Sequence, residues 1–92
     1  MIEAEAGQET REVRIKRLSM RSTRRGLKEM DSLLPAYAER NLAGMAPAEL
    51  DLYDRLLQEN DQDLYQWVTG QVAAPAQFAA LVGDISQTHQ KE

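Results

Sequence analysis

The 92-residue chain has no cysteine and a single histidine, His89. Lacking cysteine, it has no disulfide to reinforce the fold and no thiolate to hold a metal, and it fits a reducing compartment. With one histidine and no thiol, a Cys–His or Ser–His–Asp nucleophilic arrangement has almost no material to draw on. His89 sits in the polar stretch "SQTHQKE", where a solvated tail residue is the reading. The five glycines are scattered, and none builds a phosphate-cradling or dinucleotide-binding motif. No apolar run approaches the roughly 18 residues of a membrane span. The opening "MIEAEAGQET" is acidic, without the apolar core of a signal peptide or the arginine and serine of a transit peptide. A soluble cytoplasmic protein is the expectation.

What is present suits one small domain. Hydrophobic residues make up 42% and charged residues 28%, a globular balance. A chain this short buries only about 60–65% of its unfolded surface, which argues against a deep substrate cavity. The net charge of −4 conceals an asymmetry: eight of the 11 Lys and Arg residues lie between Arg11 and Lys28, with only Glu12 among them. One end of the molecule should attract anionic surfaces while the acidic remainder repels them.

Periodicity predicts five helical segments and no strand, an all-α compact bundle of short helices. The first, about Thr10 to Ser22, carries Val13, Ile15 and Leu18 and aligns arginines at 11, 14, 17 and 21 in one stripe that Arg24 extends. The second starts near Gly26 with Leu27, Met30, Leu34 and Tyr37 on one face. Pro35 interrupts it, predicting a kink near Leu33–Pro35 or two short helices. Pro47 suits the first position of a third helix, with Glu49 against the positive helix end and Leu50, Tyr53, Leu56 and Leu57 inward. Asn60 or Asp61 caps a fourth helix that buries Leu64, Trp67 and Val68 and ends at a left-handed Gly70. Pro75 opens the fifth, with Phe78, Leu81, Val82 and Ile85. The domain reading is a flexible acidic leader over 1–9, a five-helix domain over 10–86 and a frayed polar tail over 87–92. Since each helix shows one apolar stripe, the expected state is a monomer.

Asp51, Asp54, Glu59, Asp61 and Asp63 are numerous enough to consider for a hard cation. They lack the spacing and glycine of a calcium loop, so they read as caps and solvated faces, and no metal is expected. Trp67 reads as core, whereas Tyr65 on the neighbouring face remains open as a partner anchor. The arginine stripe allows three readings: a solvated face, a nucleic-acid contact, or a dock for an acidic protein surface. Without interleaved aromatics for base stacking, nucleic acid is the poorer fit.

The stretch "RRGLKEMD", Arg24 to Asp31, places a glycine in a cationic run just before a helix. A helix junction at Gly26 with a first-turn Glu29 accounts for both residues. It accounts less well for the cations on both sides, which make a mixed-sign patch with no side chain at its centre. A second protein's backbone can approach there.

Arg25-Gly26-x-x-Glu29, followed by Met30-Asp31, resembles the RGxxE motif of the SdhE-type assembly factors for the FAD of succinate dehydrogenase. Arg17-Leu18, "RSTRRG" and the segment from Leu50 to Gly70, with its "DQDLYQW", are similar to that family in order and spacing. The likeness covers about Arg11 to Ile85. It implies a five-helix bundle in a bacterial cytoplasmic or mitochondrial-matrix protein, and the cytoplasm of a bacterium is the expectation taken here. It implies binding to the flavoprotein subunit of succinate dehydrogenase, and in some members of fumarate reductase, so as to promote covalent FAD attachment. The chain would be no enzyme and would hold no stable cofactor, since the FAD belongs to the client. The resemblance assigns Arg25, Gly26 and Glu29 to the client-binding patch, widened by Arg17, Arg21 and Arg24. The alternative is a small antitoxin-like regulatory module that uses the arginine stripe on nucleic acid or another partner.

Overall fold

A computed structural model describes residues 9–91, with side chains described to residue 88. Residues 1–8 of the acidic leader expected over 1–9, and the expected solvated side chain of His89, lie outside the described residues. Among them stand five α-helices and no strand: α1 (Arg11–Arg21), α2 (Lys28–Asn41), α3 (Pro47–Leu56), α4 (Asp61–Val68) and α5 (Ala79–Lys91). Two 3-10 turns, Leu42–Gly44 and Ala76–Phe78, complete the order.

Several boundaries have a local cause. Thr10 caps α1 by accepting the Val13 N–H at 3.1 Å. Pro47 occupies the first position of α3, and the Glu49 carboxylate reaches back to the Ala46 N–H at 2.7 Å, half of a capping box. Asn60 caps α4 by accepting from the Gln62 N–H at 2.8 Å. Gly70, at φ 84°, ends α4. Gly70 N–H bonds the Trp67 carbonyl at 3.2 Å and Gln71 N–H bonds the Gln66 carbonyl at 2.9 Å, the two closures of a Schellman motif. The backbone of the expected polar tail continues α5 as far as Lys91.

Helix α2 starts near Gly26 as expected and corrects one alternative, because Pro35 does not split it into two short helices. Leu27 is its extended N-cap, and Pro35 lies inside one continuous helix. The proline leaves the Asp31 carbonyl without its usual donor and costs about 3 kcal/mol. Against that, α2 buries Met30, Leu33, Leu34, Tyr37 and Ala38, and each large side chain fully buried contributes about 1.5–3 kcal/mol. Burial wins, and the helix survives.

The core gathers Leu18 of α1 with the buried face of α2, then Leu50, Tyr53 and Leu56 of α3, Leu64 and Val68 of α4, and Phe78, Leu81, Val82 and Ile85 at the chain's end. Trp67 is half-buried and stacks on Phe78 with ring centroids 6.1 Å apart, as the core reading expected. One buried polar group is built into this interior. Ser22 Oγ donates to the Leu18 carbonyl at 2.8 Å and lies 2.7 Å from the Tyr53 hydroxyl. Burial is the main cause that pushes the Tyr53 phenol up to about 12. Tyr37 is pushed up too, by burial first and then by its 2.7 Å hydrogen bond to Asp84.

Candidate protein-docking site

The connection between α1 and α2 is where the charge pattern and the backbone meet. The chain leaves α1 at Ser22 and reverses through Arg24, whose φ of 55° is the one left-handed value at a non-glycine among the described residues. Such a conformation costs a side-chain-bearing residue about 1–2 kcal/mol. Gly26 itself has no positive φ, so it is not there for its dihedral freedom. It is there for space. A Cβ at residue 26 would sit 3.2 Å from Asp61 Oδ2, tighter than ordinary packing.

Asp61, the first residue of α4, organises the loop. Its Oδ1 accepts from Arg25 Nε at 2.9 Å and lies 2.7 Å from Arg25 Nη2, while Oδ2 accepts the Gly26 N–H. Both side chains are nearly buried, 12% exposed for Arg25 and 13% for Asp61. Arg25 also donates to the Leu57 carbonyl and the Arg21 carbonyl, each at 2.9 Å. One guanidinium thus ties the C-terminal ends of α1 and α3 to the N-terminus of α4. A fourth tie comes from Asp31, whose Oδ1 accepts the Arg25 N–H at 3.2 Å.

This geometry divides the sequence-predicted residues. Arg25 faces inward and is consumed by the clasp. Gly26 is exposed, with its amide already donated to Asp61. Glu29 stands exposed on the first turn of α2, and its side chain makes no ion pair or hydrogen bond with another described residue.

The arginine stripe divides as well. Arg14 pairs with Asp51. Arg17 Nε bonds Glu9 at 2.8 Å, and its Nη2 reaches Asp54 at 3.1 Å. These contacts raise the Arg17 pKa, the Glu9 hydrogen bond most, and the same bond lowers that of Glu9. Arg11 donates to the Ala43 carbonyl at 2.7 Å. The N-terminal part of the stripe is therefore turned onto the Leu42–Gly44 turn, α3 and Glu9. Arg21 and Arg24 are exposed at the other end and have no side-chain partner among the described residues. A stripe half neutralised from within is a poor phosphate-binding track, so the nucleic-acid alternative gains nothing from the structure.

Two features escaped the sequence reading. Asp61 was considered there as a cap or a solvated carboxylate, never as the partner of Arg25. Asp51 and Asp54 match Arg14 and Arg17 in their spacing of three, and that complementarity was available as a signal for the α1–α3 contact. Among the described residues no group of three or more His, Asp or Glu side chains is placed to hold a metal ion. No described helix is long and apolar enough to cross a membrane. A cleft of about 740 Å³ between the end of α2, α3 and α5 has Tyr37 and Asp84 bonded to each other in its wall.

Residues 16–89, which contain the whole clasp, match the family described as "Flavinator of succinate dehydrogenase". The chain belongs to that family. Among curated relatives it is similar to "Succinate dehydrogenase assembly factor 2, mitochondrial" of Mycosarcoma maydis, 42% identical over 71 residues, covering 77% of this chain and 30% of that protein. The proteins of the same name from Scheffersomyces stipitis and Meyerozyma guilliermondii are 48% and 44% identical over 61 residues, covering 66% of this chain and 41% and 45% of theirs. The chain thus spans less than half the length of these relatives. They correct the expectation of a bacterial cytoplasmic protein, since each is fungal and each is named mitochondrial. The absence of a transit-peptide pattern, on which that expectation leaned, is a statement about the first residues of this sequence only.

Proposed function

We propose that this protein is an assembly factor that binds the flavoprotein subunit of succinate dehydrogenase and promotes covalent attachment of its FAD. Membership of the flavinator family over residues 16–89 carries the reading. The clasp supports it physically. A docking surface works best when its backbone is held before the partner arrives, because ordering it on contact subtracts from affinity. Here Arg25 and Asp61 hold the loop, and Glu29, Arg21 and Arg24 are left outward for the client. The effect on flavin attachment is conformational bias: the factor favours the client geometry to which it binds best.

On this reading the factor is not an enzyme and the FAD remains the client's. The sequence holds no glycine-rich phosphate cradle, and its most shifted acids, Tyr37 and Tyr53, are buried and held protonated. The flavoprotein of fumarate reductase is a second client of the same class. The factor acts as a monomer: among the described residues the large apolar ones left exposed are Val13, Met20 and Val72, too few for the apolar centre of an obligate dimer.

The test is capture of the purified flavoprotein subunit by the wild-type chain and by Gly26→Arg and Glu29→Ala variants shown to be folded. Capture by wild type with loss in both variants is the expected result. Variants that capture as well as wild type would remove the patch from the account.

A further inference from the structure

Glu29 stands at the edge of a small cavity whose other walls are Met30, Leu33, Tyr65, Val68 and Thr69. Met30, Leu33 and Val68 are 1%, 9% and 5% exposed, so the floor is apolar. The Thr69 hydroxyl is committed to the Tyr65 carbonyl at 2.7 Å. The groups with free hydrogen-bonding capacity at the mouth are the Glu29 carboxylate and the Tyr65 hydroxyl, both able to accept.

No neighbour within a turn in sequence neutralises Glu29. Four residues before it is Arg25, spent on Asp61, and three and four after it are Ser32 and Leu33. Lys28 is adjacent in sequence and so does not face it. The volume, about 80 Å³, equals a few waters at roughly 30 Å³ each, far below a cofactor site but of the order of an aliphatic stem. An apolar floor beneath an unpaired carboxylate complements one kind of side chain, an aliphatic stem that ends in a cation.

We propose that this notch receives a single lysine or arginine side chain of the flavoprotein client. Its methylenes lie over Met30, Leu33 and Val68, and its cation lies on Glu29. The proposal rests on the docking reading above and adds the chemistry of the contact. It also gives Tyr65 a role, as wall and second acceptor.

The test measures affinity of the purified chain for the flavoprotein subunit by calorimetry. The proteins compared are wild type, Glu29→Gln, Thr69→Trp and the double variant, each with its melting temperature. Residues 29 and 69 are exposed, so both substitutions are compatible with the fold. Glu29→Gln removes the charge while keeping an acceptor and should weaken binding about 10- to 100-fold, as for a hydrogen bond to a charged group. Thr69→Trp obstructs the mouth while leaving the Glu29 carboxylate in place and should weaken binding at least about 10-fold. The double variant should bind no worse than the weaker single one, because both act on one occupant. Wild-type affinity should fall more steeply with salt than that of Glu29→Gln.

Wild-type binding with Glu29→Gln unaffected overturns the cation, since a backbone N–H partner would tolerate the amide. Glu29→Gln weakened with Thr69→Trp unaffected overturns the notch, as do additive losses in the double variant. Failure of the wild-type chain to bind overturns the docking reading itself.

Discussion

Replacing Asp61 by alanine removes the acceptor of two Arg25 donors and of the Gly26 N–H at once. Breaking a fully buried ion pair on one side costs about 3–5 kcal/mol, because a charge is left without its partner in a poor solvent. Arg25 and Asp61 are 12% and 13% exposed, and Arg25 keeps the Leu57 and Arg21 carbonyls, so the loss expected here is smaller, about 2–3 kcal/mol. That is a large share of the roughly 5–14 kcal/mol usual for 92 residues. Urea unfolding followed by circular dichroism should show a lower midpoint with an unchanged slope. Asp61 also lies at the positive end of α4, worth about 0.3–1 kcal/mol by itself. Asp63→Ala, in the same first turn but without an arginine partner, measures that dipole share. In the cycle with Arg25→Ala, the double variant should lose about 1–2 kcal/mol less than the two singles summed. A loss from Asp61→Ala no larger than from Asp63→Ala, or strict additivity in the cycle, would refute the clasp.

Other perturbations have equally definite outcomes. Ser22→Ala leaves the buried Tyr53 hydroxyl without its partner and should cost about 1–3 kcal/mol, whereas Tyr53→Phe, which leaves Ser22 its bond to Leu18, should cost about 0.5–1.5 kcal/mol. Thermal melts separate the two if the serine change is the more damaging. Arg24→Gly relieves a left-handed side chain and should stabilise by about 0.5 kcal/mol after the entropy of the added glycine; a net loss would show that the φ of 55° carries no strain. Tyr37 and Tyr53 have folded pKa values raised above the unfolded value near 10, so their contribution is complete below about pH 10 and declines above it, for Tyr53 until about 12. Chemical denaturation should therefore show stability falling from pH 10 upward, less steeply in Tyr53→Phe; a flat profile would contradict the burial of both phenols.

Several helix ends were legible because they carry a local chemical mark. Thr10, Pro47, Asn60 and Gly70 act within a turn of themselves, and the structure uses each where the sequence suggests; Pro75 does not open the last helix as expected but precedes the 3-10 turn Ala76–Phe78, and α5 begins at Ala79. Pro35 shows the limit of that logic, since a local rule left a kink or two short helices open and the burial of five α2 residues keeps one helix. In the site, Glu29 and the junction at Gly26 were readable from a first-turn acid after a glycine. The orientation of Arg25 was not. Its partner lies 36 residues away, and nothing within a turn of either residue announces the pair. An arginine written as a contact for another protein turned out to face its own chain, and the space at Gly26 belongs to Asp61.

Covalent flavin on the succinate dehydrogenase flavoprotein tests the central claim most directly. Cells lacking this factor would be complemented with the wild-type chain or with Glu29→Ala, and flavin fluorescence read on the denatured subunit, where only tethered FAD remains. Strong fluorescence with wild type and little with Glu29→Ala or without the factor is the predicted result. Equal fluorescence in all three would contradict it.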